Sequence, residues 1–335
     1  MITPAIGTNE LVHQLQILIE SNTPVFIHGS PGIGKSYIVN DIAKRNKLEL
    51  VDVRLSQLDA IDLRGIPSID DGETKWMPPV FLPKDKNAQG ILFLDELNSA
   101  PLSVQAAIYQ LVLDRKIGEY TLPKGYKIVC AGNKIDDKGI VFKLPSPLIN
   151  RMVHIVLEAR YDDFKAWAIT NNIHPFIIGF LGFRPDLLSS SIPTSSETNP
   201  AFCTPRAWTM LSNIILSNKD INKITPIIYG TVGYAAGIEF SSFVKVYKNL
   251  PNIDAILNGD DETILEEPSA LYALSAALIE KYQTKDQAKN LFKYSEKLPV
   301  EFGVMLIKDL IIKDESISEL EEFDGWLEKY GEYII

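Results

Sequence analysis

Eight consecutive residues near the start of the chain have the types and spacing that bind a polyphosphate. They are Gly29, Ser30, Pro31, Gly32, Ile33, Gly34, Lys35 and Ser36, in the pattern G-x-x-x-x-G-K-[ST]. Glycines let a backbone approach phosphates closely. A lysine at this place reaches the β- and γ-phosphates, and the hydroxyl that follows it is a ligand of Mg²⁺. The runs 24–28 and 35–45 predict a strand before the loop and a helix after it, whose N-terminus directs backbone N–H groups at the anion.

Two carboxylates follow an apolar run further along the chain. Residues 91–94 are Ile-Leu-Phe-Leu, which is typical of a strand covered on both faces, and the next two are Asp95 and Glu96. We expect Asp95 to complete the Mg²⁺ shell and Glu96 to polarise the attacking water, since a general base must lie within hydrogen-bond reach of its proton. The carboxyl end of a strand beside the phosphate loop is the place where such groups meet.

Three further polar residues are candidates because of their positions. Asn133 follows the apolar run 127–131 and would orient the water or sense the γ-phosphate. Arg151 precedes the run 152–156, and an arginine there stabilises charge on a transferring phosphoryl group, in the same chain or from a neighbouring subunit. Arg206 opens a predicted helix and would report the nucleotide state to the second half of the chain. The ordinary alternatives are a turn residue for the asparagine and surface ion pairs for the arginines.

The pattern of apolar runs predicts an α/β protein with a parallel sheet between helices. Five strands are predicted, at 24–28, 49–53, 91–94, 127–131 and 152–156. They alternate with helical segments, which implies helices on both faces of the sheet. After residue 159 helical patterns dominate, so we predict an αβα nucleotide-binding domain at 1–159 and a mostly helical domain with a C-terminal helical extension at 160–335.

Composition excludes several classes of protein. The net charge of −10 disfavours binding to duplex DNA through phosphates. The two cysteines, Cys130 and Cys203, have neither a disulfide framework nor metal-ligand spacing, which favours a reducing, cytoplasmic location. The first residues lack the pattern of a signal peptide. The most apolar window, 227–244, contains three glycines and Glu239, so we expect a buried helical region and no membrane segment.

Taken together, these motifs resemble the AAA+ ATPases, and within them most closely the MoxR group. The signals for the group are Asp-Leu-Arg-Gly-Ile-Pro at 62–67, Trp-Met-Pro-Pro at 76–79, Asp-Glu-Leu-Asn-Ser-Ala-Pro at 95–101 and Tyr-Thr-Leu-Pro at 120–123. The resemblance covers the chain to about residue 210, and the helical part beyond it matches only loosely, as a lid. Ser99 stands where that group usually has arginine.

The resemblance implies roles for the candidate residues. Residues 29–36 would be the Walker A motif, 91–96 the Walker B motif, Asn133 sensor 1, Arg151 an arginine finger and Arg206 sensor 2. It also implies ATP and Mg²⁺ as cofactors and a homo-oligomeric ring, most often a hexamer, in which Arg151 acts on the neighbour's nucleotide. The expected activity is ATP hydrolysis coupled to remodelling or activating a protein client, often one with a von Willebrand A domain.

The resemblance also bears on residues 56–80, which fit an insertion beside the second helix. Insertions at that place commonly face the ring's pore or a substrate, and the length of this segment and its Gly, Pro and Trp content favour that placement.

Other functions share some of these motifs. Asn133 begins an N-K-x-D pattern that ends at Asp136, and 62–65 fit D-x-x-G, so the chain also matches the motifs of a small GTPase. However, Asp62 does not directly follow a strand, whereas Asp95 does, and a small GTPase needs no helical second half. A DNA-directed AAA+ motor and an ATP-switched scaffold without hydrolysis are further alternatives. The acidic charge disfavours the motor, and the complete set of ATPase residues disfavours the scaffold.

Overall fold

The computed structural model describes residues 4–134, 137, 142–190, 200–218 and 220–333. It divides the chain into two compact units, Met1–Ala159 and Arg160–Ile335.

The first unit is built on a parallel sheet. In chain order its strands and those of two hairpins are β1 (Ala5–Ile6), β2 (Val25–His28), β3 (Glu49–Arg54), β4 (Ile66–Asp70), β5 (Glu73–Met77), β6 (Gln89–Asp95), β7 (Lys116–Ile117), β8 (Tyr120–Thr121), β9 (Gly125–Gly132) and β10 (Val153–Leu157). The sheet has six strands in the order β1-β10-β2-β9-β6-β3, and every neighbouring pair is parallel. The predicted α/β class is confirmed. Five strands were expected, and the sixth, β1, is too short to give an apolar pattern of its own.

Helices cover both faces of this sheet. They are α1 (Thr8–Glu20), α2 (Lys35–Arg45), α3 (Ala60–Arg64), α4 (Leu102–Asp114) and α5 (Ser146–Ile149). Successive residues of β6 enter different cores: Ile91 and Phe93 join the core of α1 and α2, while Leu92 and Leu94 join that of α4. Burial on both faces explains why β6 reads as one continuous apolar run.

The segment 56–80 contains α3 and an antiparallel hairpin of β4 and β5. Every residue of β5 is exposed. The tight turn between the strands uses Asp71 and Gly72, which both have positive φ.

Among its described residues, the second unit contains helices and no strand. Its helices are α6 (Tyr161–Thr170), α7 (Pro175–Phe183), α8 (Pro205–Ser217), α9 (Thr225–Val232), α10 (Tyr234–Tyr247), α11 (Ile253–Asn258), α12 (Pro268–Lys281), α13 (Lys285–Ser295), α14 (Val300–Lys313) and α15 (Glu321–Tyr330). The apolar window at 227–244 is two helices that meet at Gly233, whose φ of 90° interrupts the helical path. Among the described helices, none has the length and apolar character needed to cross a membrane.

Candidate nucleotide site

The loop at 29–36 joins β2 to the N-terminus of α2 at the centre of the sheet. Gly32 and Gly34 have φ of 78° and 103°, a region that side chains disfavour. Gly34 is the N-cap of α2 and supplies no side-chain acceptor to the first-turn amides. The helix therefore begins with backbone donors and the positive end of its dipole directed at the loop, which suits a polyphosphate.

Lys35 is buried, and its ammonium group lies within the loop. Its Nζ donates to the carbonyl oxygens of Gly29 at 2.5 Å and Ser30 at 3.1 Å. The side-chain oxygen of Asn133 is 3.4 Å from the same nitrogen. The structure thus brings Lys35 and Asn133 together at the loop. Both residues were predicted to lie near the phosphates.

Ser36 and Asp95 meet although 59 residues separate them in the chain. The Ser36 hydroxyl donates to Oδ2 of Asp95 at 2.8 Å, and Oδ1 of Asp95 accepts from the backbone N–H of Glu96, also at 2.8 Å. A hydroxyl beside one buried carboxylate is an oxygen donor set of the kind Mg²⁺ takes together with substrate phosphates. These two residues fit Mg²⁺. Within the described residues no group of three or more His, Cys, Asp or Glu side chains could hold a metal by itself.

Glu96 directly follows β6 and has a left-handed backbone, with φ of 59°. Such a conformation is uncommon for a residue other than glycine, and it is often found at functional sites. The Ser56 hydroxyl donates a hydrogen bond to Oε2 of Glu96. Sequence reasoning missed Ser56. The signal available was its place two residues past the end of β3, because Arg54 of that strand pairs with Asp95 of β6.

Asn133 follows β9, and the buried side chain of Asn98 fixes its backbone. The Asn98 amide nitrogen donates to the carbonyl of Asn133 at 2.8 Å, and the Asn98 side-chain oxygen accepts from its N–H at 3.2 Å. In the sequence, Asn98 was noted only as part of the run at 95–101, and no role was predicted for it.

The GTPase alternative is not supported by these contacts. Asp62 uses its carboxylate as a helix cap, accepting from the N–H of Asp59 at 2.8 Å, whereas the hydroxyl of Ser36 bonds Asp95. Asp136, the last residue of the N-K-x-D pattern, lies outside the described residues. The nearby Asp137 accepts from the Ser30 hydroxyl at 2.8 Å and thereby joins the segment after Asn133 to the phosphate loop.

The two candidate arginines are exposed. Arg151 lies in the turn between α5 and β10, and its side chain makes no hydrogen bond or ion pair with the described residues. Arg206 is the second residue of α8 in the second unit. The preceding Thr204 caps that helix by accepting from the N–H of Ala207 at 3.0 Å.

Two histidines lie directly beside the loop. Nε2 of His28, the last residue of β2, is 2.9 Å from Nδ1 of His154, and Nε2 of His154 is 2.8 Å from the carbonyl of Ile149. Burial, and secondly the nearby His154, lowers the pKa of His28 from 6.5 to about 4. On the other side of the site, burial and then the charge of Asp95 raise the pKa of Asp52.

Comparison with known families shows what the segment around this site is similar to. Residues 24–152 match the family described as AAA domain (dynein-related subfamily). This segment is therefore similar to AAA domains. The matched segment includes the loop at 29–36 and the residues Asp95, Glu96, Asn133 and Arg151, and this similarity supports the expectation of an AAA+ ATPase domain.

The chain is also similar to parts of much larger proteins. Midasin of Giardia intestinalis is 30% identical over 156 residues, which are 44% of this chain and 3% of that protein. Midasin of Dictyostelium discoideum is 27% identical over 147 residues, 40% of this chain and 2% of that protein. The chain therefore spans only a small part of the relatives that it matches. Among solved structures, a RuvB variant of Thermotoga maritima is 14% identical with a TM-score of 0.39, covering 97% of this chain and 88% of that one.

Proposed function

We propose that this chain is an ATP-hydrolysing AAA+ subunit of the MoxR type that remodels or activates a protein partner. One observation carries the hydrolytic part: the Ser36 hydroxyl bonds the Asp95 carboxylate at 2.8 Å beside the buried Lys35, and Glu96 comes next in the chain. A phosphate binder needs only the loop. The added pair of carboxylates at the strand end supports hydrolysis as well.

In this proposal each residue has a separate task. The loop backbone and Lys35 bind the β- and γ-phosphates, while Ser36 and Asp95 hold Mg²⁺. When bound, Mg²⁺ offsets the negative charge on the phosphate oxygens. Glu96 accepts a proton from the attacking water, and Asn133 orients that water toward the γ-phosphorus. The products are ADP and inorganic phosphate.

Two arginines complete the proposed cycle. Arg151 is exposed and has no partner among the described residues, which suits an arginine that acts on the nucleotide of an adjacent subunit. A hexameric ring is the assembly that the MoxR resemblance implies. Arg206, at the start of α8, would couple the γ-phosphate to movement of the helical unit.

A protein client is supported by the hairpin of β4 and β5. Its exposed apolar side chains include Ile69 at 84% and, just after the hairpin, Val80 at 85% exposure. Exposed apolar clusters of this kind mark contact surfaces. A client with a von Willebrand A domain rests on the MoxR resemblance alone. A cytoplasmic location is supported by Cys130 and Cys203, which are buried free thiols that a reducing compartment preserves.

The test is the turnover of ATP and GTP by the wild type and by Glu96→Gln. The variant keeps the side-chain size and loses the base, so we expect retained ATP binding and a kcat lower by on the order of 10²–10⁴-fold. Glu119→Gln, the same change at an exposed glutamate, is the matched control. Lys35→Ala should lose nucleotide affinity. Unchanged turnover in Glu96→Gln would remove Glu96 from the mechanism, and faster turnover of GTP would contradict the ATPase assignment.

A further inference from the structure

Asn98 has a buried side-chain amide that contacts both backbone polar groups of a single residue, Asn133. It is only 4% exposed and lies in the 3-10 turn Leu97–Ser99, which directly follows Glu96. Both functional groups of its side chain bind Asn133, the donor at 2.8 Å and the acceptor at 3.2 Å. A side chain that uses its donor and its acceptor on one residue fixes the backbone of that residue, with a peptide unit on each side, more tightly than a single bond would.

The contact continues the sheet beyond its last backbone pair. Strands β6 and β9 are paired as far as Leu94 and Cys130. Past that point the chain turns away at Glu96, and the Asn98 amide takes the place of the missing strand residue opposite Asn133. Gly132 makes this approach possible, since a Cβ there would lie 2.1 Å from Oδ1 of Asn98.

The same side chain joins two parts of the proposed hydrolytic site. On one side, the N–H of Ser99 donates to the carbonyl of Glu96 at 2.9 Å, which closes the turn that holds Asn98. On the other, Oδ1 of Asn133 is 3.4 Å from Nζ of Lys35. The backbone carbonyl of Asn98 also accepts from the N–H of Phe142 at 2.7 Å, so Asn98 contacts both Asn133 and Phe142.

We infer that Asn98 is a positioning residue that acts through Asn133. It holds the side-chain amide of Asn133 toward the γ-phosphate and fixes the position of that amide relative to Glu96. This inference rests on the proposed function, because it assigns Asn98 a part in that same site. A purely structural role would make Asn98 matter for stability only. A positioning role makes its effect on turnover depend on the presence of Asn133.

The experiment compares Asn98→Ala, Asn133→Ala and the double variant in the full-length chain. We expect Asn98→Ala to lower kcat on the order of tenfold, the size of effect that a lost orienting contact has. Affinity for ADP should stay within about twofold of wild type, since ADP has no γ-phosphate to sense. Adding Asn98→Ala to Asn133→Ala should lower kcat by less than about twofold further, because residues that act as one unit are not additive.

Two more variants separate geometry from packing. Asn98→Asp keeps the volume but sets a carboxylate oxygen against the Asn133 carbonyl where a donor is needed, so we expect it to lose turnover like Asn98→Ala. Gln105→Ala is the matched control, because Gln105 is another buried amide that donates to Ala100 at 3.0 Å near the same turn. Its variant should lower thermal stability and leave kcat unchanged at temperatures where it is folded.

A binding readout keeps this inference separate from the proposed hydrolysis. The preference for ATPγS over ADP should fall to a similar degree in Asn98→Ala and Asn133→Ala. If the wild type binds both nucleotides and does not hydrolyse ATP, the proposed function is wrong, while this preference still tests Asn98. The inference is overturned by an unchanged preference and kcat in folded Asn98→Ala. A full additional loss of kcat in the double variant also overturns it.

Discussion

At the scale of single residues, His28 makes the stability of the folded chain depend on pH. It is the last residue before the loop, and burial together with His154 lowers its pKa from 6.5 to about 4. The unfolded chain takes up this proton near pH 6.5 and the folded chain only near pH 4. Between these values the unfolded state binds more protons, so the free energy of unfolding falls as the pH drops through this window. The contribution of His28 to stability is complete above the window.

We therefore expect denaturant unfolding of the wild type to show a loss of stability between about pH 6.5 and pH 4, and His28→Gln to show a smaller loss. His174 of the second unit has its pKa lowered to about 4 by burial, so His28→Gln should remove only part of the slope. His13→Gln, at an exposed histidine of α1, is the control. An equal slope in wild type and His28→Gln would contradict the assignment to His28.

The same scale shows why sequence could predict part of the site. The structure brings together Lys35, Ser36, Asp95 and Asn133. Each of them lies in the loop or just after a predicted strand, so its position could be read from the sequence. The sequence gives no such signal for Asn98, because its role depends on a turn that places it opposite Asn133, 35 positions away. Contacts of this kind depend on strand order, which periodicity does not give.

At the scale of elements, α6 and α14 of the second unit are joined by a buried ion pair. Nζ of Lys165 lies 2.6 Å from Oδ1 of Asp309, and both side chains are buried. Burial raises the pKa of Asp309, and the attraction to Lys165 opposes that shift. A charge left alone at such a place has neither water nor a counter-ion, so removing one partner costs more than removing both.

Accordingly, we expect Lys165→Met to lower the free energy of unfolding by about 3–5 kcal/mol, and the double change with Asp309→Leu to recover much of that loss. Urea unfolding of the single and double variants measures both values. The exposed pair Lys281 and Asp254, at 2.7 Å, gives the comparison, because Lys281→Met should cost less than about 1 kcal/mol. Equal losses at the two pairs would contradict the role of burial.

Elements also differed in how well the sequence revealed them. The helix that Arg206 was predicted to open is α8, Pro205–Ser217, whose start is marked by a threonine cap and a proline at the first helical position. Strand β1 has two residues, and its place is set by pairing with β10, so no local signal revealed it. The predicted C-terminal helical extension contains a 3-10 turn at Glu315–Glu319 followed by α15.

At the scale of the whole molecule, the proposed ring predicts that each active site needs residues from two subunits. If Arg151 acts on the nucleotide of an adjacent subunit, a subunit without it still offers a complete site at 29–36 to its neighbour. A subunit with Glu96→Gln has the reverse defect, because it supplies Arg151 and cannot activate water. Mixed assemblies would then contain interfaces where an intact Glu96 faces an intact Arg151.

We expect Arg151→Ala alone to bind ATP with near wild-type affinity and to lose turnover on the order of 10³-fold. Mixing it with Glu96→Gln should restore part of the activity, because some interfaces regain both groups. Light scattering after size-exclusion chromatography, with and without ATP and Mg²⁺, measures whether assemblies of about six subunits form, and capture of untagged Glu96→Gln by tagged Arg151→Ala measures whether they are mixed. Mixed assemblies without recovery would place the action of Arg151 within its own chain, because each active site would then need both groups from one subunit.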